Sequence, residues 1–424
     1  MLAHCKLLKR LITKLGHCIS TTIKTNYICT TYFIMALNTL FNDTQTAFKL
    51  KSDTELDRAY FLFKMISKEP LVKIGTLATK VALNLNLPVQ GLIRSTVFDH
   101  FCGGVNEKDC MRVVDSLNSV KVRSVLDYSV EGKQEESQFD ATLQKVIELT
   151  EFANNNYAMP FSVFKPTGFG RFEIWRKLTE RETLTPDEKK QWQSIQQRYH
   201  SVCNAAHSSG ISLLMDGEES WMQDAADNLC ESMMAKYNTE KAVVFNTLQC
   251  YRWDRLAYLK EQHAKAKAGN YKLGFKIVRG AYMEKENNRA KERGYPTPIC
   301  ESKEATDTNF NAVLEYILDN LQDISLFMGT HNEQSSYLAL EILKSKGIKK
   351  NDNRVWFGQL YGMSDHISYN LAAQGYNVTK YIPFGPVKDV MPYLIRRAEE
   401  NTSVAGQTSR ELTLLKKEKI RRKL

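Results

Sequence analysis

Residues 273–280 read LGFKIVRG. The run is apolar without the alternation of a half-exposed strand, it closes on a glycine, and a helical pattern follows it. A strand buried on both faces reads this way, and such strands belong to parallel sheets covered by helices. Working outward, the same unit recurs. Upstream lie AVVFNTLQ (242–249), SLLMDG (212–217), FSVFKP (161–166) and VRSVLDY (122–128). Downstream lie ISLFMG (324–329), RVWFGQL (354–360) and VTKYIPFG (378–385). Eight strand–helix units over roughly 280 residues suit an α/β protein of the (βα)8 TIM-barrel type. A doubly wound open sheet competes with this reading, but no GxGxxG follows any strand. Gly168-Phe169-Gly170 lacks the third glycine, and there is no Walker-type loop.

The chain divides into four stretches. Residues 1–34 form a basic, presequence-like extension, 35–120 a helical arm and lead-in, 121–404 the barrel, and 405–424 a basic helical tail. In the arm, Ser52 and Glu55 stand in capping-box spacing ahead of a helical apolar pattern, and helix continues to about Asn86, where Pro88 breaks it. Residues 171–210 interrupt the barrel with a polar insertion that reads as helix, turn at Thr185-Pro186, and helix. The tail opens with Thr408 and Glu411 in capping-box spacing and continues as a basic helix with a solvated face.

Net charge is +10 over 424 residues, which alone would suggest a nucleic-acid partner. Residues 1–34 carry five Lys/Arg and no acid, and 405–424 carry seven Lys/Arg against two acids. The two ends hold the whole excess, so the body is formally neutral and no nucleic-acid partner is expected. Basic ends suit a membrane surface or a targeting role. The extension resembles a mitochondrial presequence; equally, translation starting at Met35 leaves it as a leader. The first reading places the protein in the mitochondrial matrix or at the inner membrane. The second places it in a bacterial cytoplasm with peripheral contact to the inner membrane. Nine cysteines without a CxxC pair argue against a disulfide framework and a structural zinc site.

In a barrel of this type, reactive groups sit at the C-terminal ends of the strands. Those positions hold Asp127 and Glu131, Lys165, Asp216, Gln249, Lys276 with Arg279, Thr330-His331-Asn332, Gln359 and Tyr381. After the eighth strand, Tyr393, Arg396, Arg397 and Glu400 fall at i, i+3, i+4 and i+7 and share one helix face. Two guanidinium forks beside a tyrosine suit the grip of a small carboxylate. A solvated basic face reads equally well from these four residues alone. His331 has no second ligand at metal spacing, so no metal is expected. A cationic mouth with aromatic walls suits a flat, phosphate-bearing cofactor together with a small carboxylate.

The motifs LDYSVEG, FKPTGFG, LLMDGEE, NTLQCY, KIVRGAYMEKE, GTHN, QLYGM and YIPFG…PYLIRRAEEN, in this order, closely resemble the proline dehydrogenase family from about residue 37 to the end. The resemblance implies a distorted (βα)8 barrel with non-covalent FAD and a last helix lying over the flavin. It implies oxidation of L-proline to Δ1-pyrroline-5-carboxylate, the first step of proline catabolism to glutamate, with electrons passed to a membrane quinone. On this pattern Lys165, Arg396 and Arg397 take the proline carboxylate, and Leu360, Tyr381 and Tyr393 wall the ring. Asp216 and Lys276 form the catalytic shell, and Glu131 gates the clamp. Gln249, Lys276, Val278, Gly280 and Ala281 surround the isoalloxazine, and Lys303, Thr330, His331, Asn332 and Glu400 the rest of the cofactor. One branch of the family has Arg then Lys where this chain has Lys276 then Arg279. That swap leaves open which cation meets the flavin ring. Competing readings are hydroxyproline dehydrogenase, a folate-linked flavin reductase, and a lyase using Lys165 as a Schiff base.

Overall fold

The computed structural model describes residues 39–68, 70–72, 75–77, 90–128, 134–403 and 407–424; the side chains at 90, 92, 95, 398–403 and 407 are not described. The extension, residues 1–34, lies outside these. Thr44–Leu424 form one compact unit.

All eight expected strands form: β1 Arg123–Tyr128, β2 Phe161–Phe164, β3 Ser212–Met215, β4 Val244–Gln249, β5 Leu273–Val278, β6 Ile324–Gly329, β7 Val355–Leu360 and β8 Val378–Phe384. Each pairs in parallel with its sequence neighbour from β2 to β8, and β8 returns to pair with β1, from Arg123↔Thr379 to Tyr128↔Phe384. Between β1 and β2 the ladder is looser, and Ser124 N–H donates to the Ala158 carbonyl at 2.8 Å just ahead of β2. The sheet is thus a nearly closed barrel.

Alternation along the strands fills its interior. Phe161 and Val163 of β2, Phe245 of β4, Phe327 of β6 and Tyr381 of β8 point into one core. Phe161 meets Phe245, Phe327 and Trp356 edge-on at 5.9, 5.1 and 5.2 Å between centroids, the geometry aromatic quadrupoles favour. Gly274 on β5 makes room: a Cβ there would stand 2.7 Å from the Phe245 ring.

Helices cover the barrel outside. In the arm, α1 (Asp53–Ile66) begins at the expected capping box, Ser52 with Glu55. The helix expected to continue to about Asn86 falls partly outside the described residues. α2 (Glu107–Ser119) precedes β1 and α3 (Glu136–Asn154) precedes β2. The insertion folds as α4 (Phe172–Thr179) and α5 (Pro186–Ser209), with Thr185 capping and Pro186 in the first turn, where its missing N–H costs nothing. α6 (Ser220–Tyr237), α7 (Arg255–Gly269), α8 (Met283–Arg293), α9 (Lys303–Asp319), α10 (Glu333–Ser345) and α11 (Asp365–Ala373) complete the ring. α12 (Val387–Ser403) follows β8, and α13 (Gln407–Arg422) ends the chain.

The tail departs from the expectation of a solvated helix. Leu414 and Leu415 of α13 are buried against Ala47, Phe48, Leu56, Ala59 and Phe63. Thr408 lies inside the helix and not at its cap. Among the described residues no helix is long and apolar enough to cross a membrane.

Candidate active site

One cavity of about 640 Å³ opens at the C-terminal ends of the strands. The period-two alternation that packs the core also aims its floor. Asp127 is the next-to-last residue of β1, Lys165 and Asp216 stand one residue past β2 and β3, and Thr247 and Gln249 come from β4. Lys276 and Val278 share the inner face of β5, and Gly280 and Ala281 follow. β7 supplies Leu360, and β8 supplies Tyr381. From above, α12 places Tyr393, Arg396 and Arg397 in the same space. Lys303, Thr330, His331 and Asn332 line another part of the wall. The expected site residues therefore converge, with two exceptions. Glu131 lies outside the described residues, and the side chain of Glu400 is not described.

The floor holds a buried triangle. Lys276 Nζ pairs with Asp216 in a short contact, and Tyr381 Oη donates to Asp216 Oδ1 at 2.7 Å. Lys276 Nζ also lies 3.4 Å from Tyr381 Oη. Burial alone would raise the Asp216 carboxyl, but the Lys276 and Lys165 charges overcome it and hold Asp216 below the usual carboxylate range. Burial, with Asp216 adding to it, pushes the Tyr381 phenol far above its ordinary value. Asp216 thus stays a carboxylate and Tyr381 a neutral phenol. Lys165 stands 3.7 Å from Asp127, so it too enters the cavity beside a carboxylate.

Arg279 and Lys276 are separated by their partners. Arg279 Nε donates to Asp307 at 2.7 Å, Nη1 to Thr330 Oγ1 at 2.8 Å and Nη2 to Ser335 Oγ at 3.0 Å, and the guanidinium lies 4.4 Å over the Phe310 ring. It is spent on fastening the loop after β6 to α9. Lys276 alone of the two reaches the barrel floor.

Sequence reasoning missed the outer wall. Glu333, His366, Arg410, Glu411 and Phe63 also line the cavity. His366 Nε2 lies 3.0 Å from Glu333, and Nδ1 lies 3.2 Å from Glu411. Arg410 pairs with Glu333 at 2.6 Å, and Glu411 accepts from Ser364 N–H at 2.9 Å. Burial opposes charge on His366, but its hydrogen bonds to Glu333 and Glu411 push it up to about 9. His331 goes the other way: burial, with Lys380 and Arg397 nearby, pushes it down to about 3, so it is a neutral ring bonded to Ser364 Oγ at 2.9 Å. The only signal for α13 was its apolar spacing, which does not name a partner.

The cavity fits a flat cofactor. Its wall includes Gly217, Gly280, Gly329 and Gly358, whose missing side chains leave room for Gln249, Tyr251, Val278 and Phe327. Gly280 has φ +132°, and a Cβ there would stand 2.5 Å from the Tyr251 ring. Lys303, Arg410, Asn332 and the neutral His331 offer the donors a phosphate-bearing group needs. Among the described residues no group of three or more His, Cys, Asp or Glu side chains could hold a metal.

A nearly closed parallel barrel with a cationic, aromatic-walled mouth defines an enzyme of the (βα)8-barrel class. The family model for proline dehydrogenase matches residues 110–410. The chain belongs to the proline dehydrogenase family and is an oxidoreductase of that kind. It is 36% identical over 333 residues to a carbapenem antibiotics biosynthesis protein, CarD, of Pectobacterium carotovorum, covering 78% of this chain and 86% of that one. It is 30% identical over 435 residues to the mitochondrial proline dehydrogenase 1 of Dictyostelium discoideum, covering 91% and 76%. Among solved structures, proline utilization A (PutA) of Bdellovibrio bacteriovorus superposes with a TM-score of 0.65 at 20% identity, over 87% of this chain. The chain spans only 37% of that longer protein, so the likeness concerns the fold alone.

Proposed function

We propose that this protein oxidises L-proline to Δ1-pyrroline-5-carboxylate using non-covalent FAD and passes the electrons to a membrane quinone. The observation that carries the reading is the convergence of Lys165, Arg396 and Arg397 above the Asp216–Lys276–Tyr381 triangle in one cavity. The cavity is several times larger than a five-membered ring carboxylate requires, which leaves room for a cofactor beside the substrate.

Two guanidinium forks and an ammonium hold the carboxylate, and Leu360, Tyr381 and Tyr393 confine the ring. When bound, FAD supplies the hydride acceptor. The substrate amine must be neutral to give up a hydride. Cations crowded on the mouth lower its proton affinity and favour the free amine. Lys276, on the inner face of β5 beside Asp216, would be the cation nearest the flavin ring, while Arg279 fastens the neighbouring wall through Asp307, Thr330 and Ser335. Lys303 and Arg410, with Asn332 and His331, would hold the phosphates. α12 brings Tyr393 to the mouth from a buried cluster that includes Leu394 and Met363, and so would keep water from the reacting carbon. Mitochondrial residence follows the Dictyostelium relative's name; the bacterial cytoplasmic reading stands as its alternative.

The test is spectroscopic. Purified protein supplied with FAD is expected to be yellow and to bleach anaerobically with L-proline more readily than with hydroxyproline. Protein with no flavin absorbance after FAD addition overturns the reading. Bleaching by hydroxyproline alone moves the substrate to that ring.

A further inference from the structure

Glu218 follows Asp216-Gly217 in the loop after β3, is buried, and is not among the residues lining the cavity. Its carboxylate grips the loop after β2: Thr167 N–H donates to Oε2 at 3.0 Å and Thr167 Oγ1 to Oε1 at 2.7 Å. Thr167 sits in the 3-10 turn Pro166–Gly168, whose N-cap is Lys165. The backbone of Glu218 is held as well. Its N–H donates to Gln223 Oε1 at 2.8 Å, and its carbonyl accepts from Gln249 Nε2, at the end of β4, at 2.6 Å. The approach is close enough that a Cβ at Gly217 would stand 3.1 Å from the Gln249 amide.

One buried residue therefore ties the loops after β2 and β3 to the end of β4, and these three places deliver Lys165, Asp216 and Gln249 to the cavity. Parallel barrel strands fix their own register, but the residues past each strand are set by loop contacts alone. A buried acid is an expensive way to make such a contact. Burial pushes the Glu218 carboxyl up to about 7, against the opposing bonds from Thr167. An apolar pair of the same volume would pack this spot at less cost but would not fix direction.

We propose that Glu218 is a positioning residue that sets the spacing of Lys165, Asp216 and Gln249 by clamping the loops after β2 and β3 to each other and to the end of β4. The assignment rests on the reading that Lys165 binds the proline carboxylate and Asp216 belongs to the floor beneath it. Neither Thr167 nor Glu218 lines the cavity, so their influence on substrate must pass through those side chains.

The experiment compares the full chain, loaded with FAD, with Thr167→Val, Glu218→Gln and the double variant. Proline KM, kcat, flavin content and Tm are measured for each. Thr167→Val keeps the volume and the backbone N–H and removes only the hydroxyl donor. Its proline KM is expected to rise about tenfold, the effect of one misaligned charge-assisted contact, with kcat within about twofold and flavin content unchanged. Glu218→Gln presents a donor where two donors already point, so its KM is expected to rise at least as far. The double variant is expected to be no worse than Glu218→Gln alone. Folded Thr167→Val with an unchanged KM, even at lower Tm, overturns the inference, and so do additive effects in the double variant. Should Glu218→Gln fail to fold, Thr167→Val decides alone. A parent protein that proline does not bleach overturns the proposed substrate instead, which keeps the two failures apart.

Discussion

At the scale of single residues, the carboxylate grip gives the sharpest expectation. Arg396 and Arg397 reach the cavity from one face of α12, with the Arg397 guanidinium 5.3 Å over the Tyr393 ring. A charge-assisted bond to a desolvated carboxylate contributes about 1.5–3 kcal/mol. Arg396→Ala and Arg397→Ala should each raise proline KM by roughly ten- to hundredfold, with flavin retained. Normal proline KM in both variants would remove the clamp from the site. The spacing of these residues was legible because a helix repeats every 3.6 residues whatever surrounds it. The division of labour between Lys276 and Arg279 was not. Three positions apart on an edge that leaves the strand, their roles depend on Asp307, Thr330 and Ser335, contributed by other segments of the chain.

At the scale of elements, α13 is the part that changes most on folding. Its cations looked solvated in sequence, yet two are spent on the arm. Lys419 pairs with Asp57 at 2.6 Å, and Arg422 pairs with Asp53 at 2.9 Å while donating to the Phe48 and Lys51 carbonyls, each at 2.8 Å. At its other end, Glu411 meets His366, which Glu333 holds from the opposite side. His366 is raised from 6.5 to about 9 in the fold. A group raised on folding adds stability that is complete below its unfolded value and is lost as pH climbs through the folded one. Docking of α13 should therefore weaken between about pH 6.5 and pH 9, by on the order of 2–3 kcal/mol. Tm measured across that window should fall in the parent and stay nearly flat in His366→Gln. A parent curve as flat as the variant's would show that His366 does not latch the helix.

At the scale of the whole molecule, the arm and the last strand meet in a buried charge knot. Asp365 lies 2.9 Å from Lys380, which has no solvent exposure, and 3.2 Å from Lys51 of the arm. Burial opposes charge on Asp365, yet Lys380 and Lys51 hold its carboxyl far below the usual range. Removing one member of a buried set strands the others, at a cost of about 3–5 kcal/mol. Asp365→Asn should lower Tm steeply while leaving the proline KM of the surviving folded fraction near the parent's, and an unchanged Tm would refute the knot. By itself, the sequence determined the barrel, the insertion and the identity of the mouth. Continuous apolar runs need two covered faces, alternation assigns side chains to the floor, and helical spacing puts Tyr393, Arg396 and Arg397 on one side. These are local consequences of backbone geometry. Only the tertiary structure decided that the tail walls the cavity, that Lys276 and not Arg279 reaches the floor, that Glu218 ties two loops to the end of β4, and that Asp365 joins the arm to the last strand. Each of those depends on partners dozens to hundreds of residues away, and charge, unlike hydrophobic spacing, carries no mark in sequence of the group that will neutralise it.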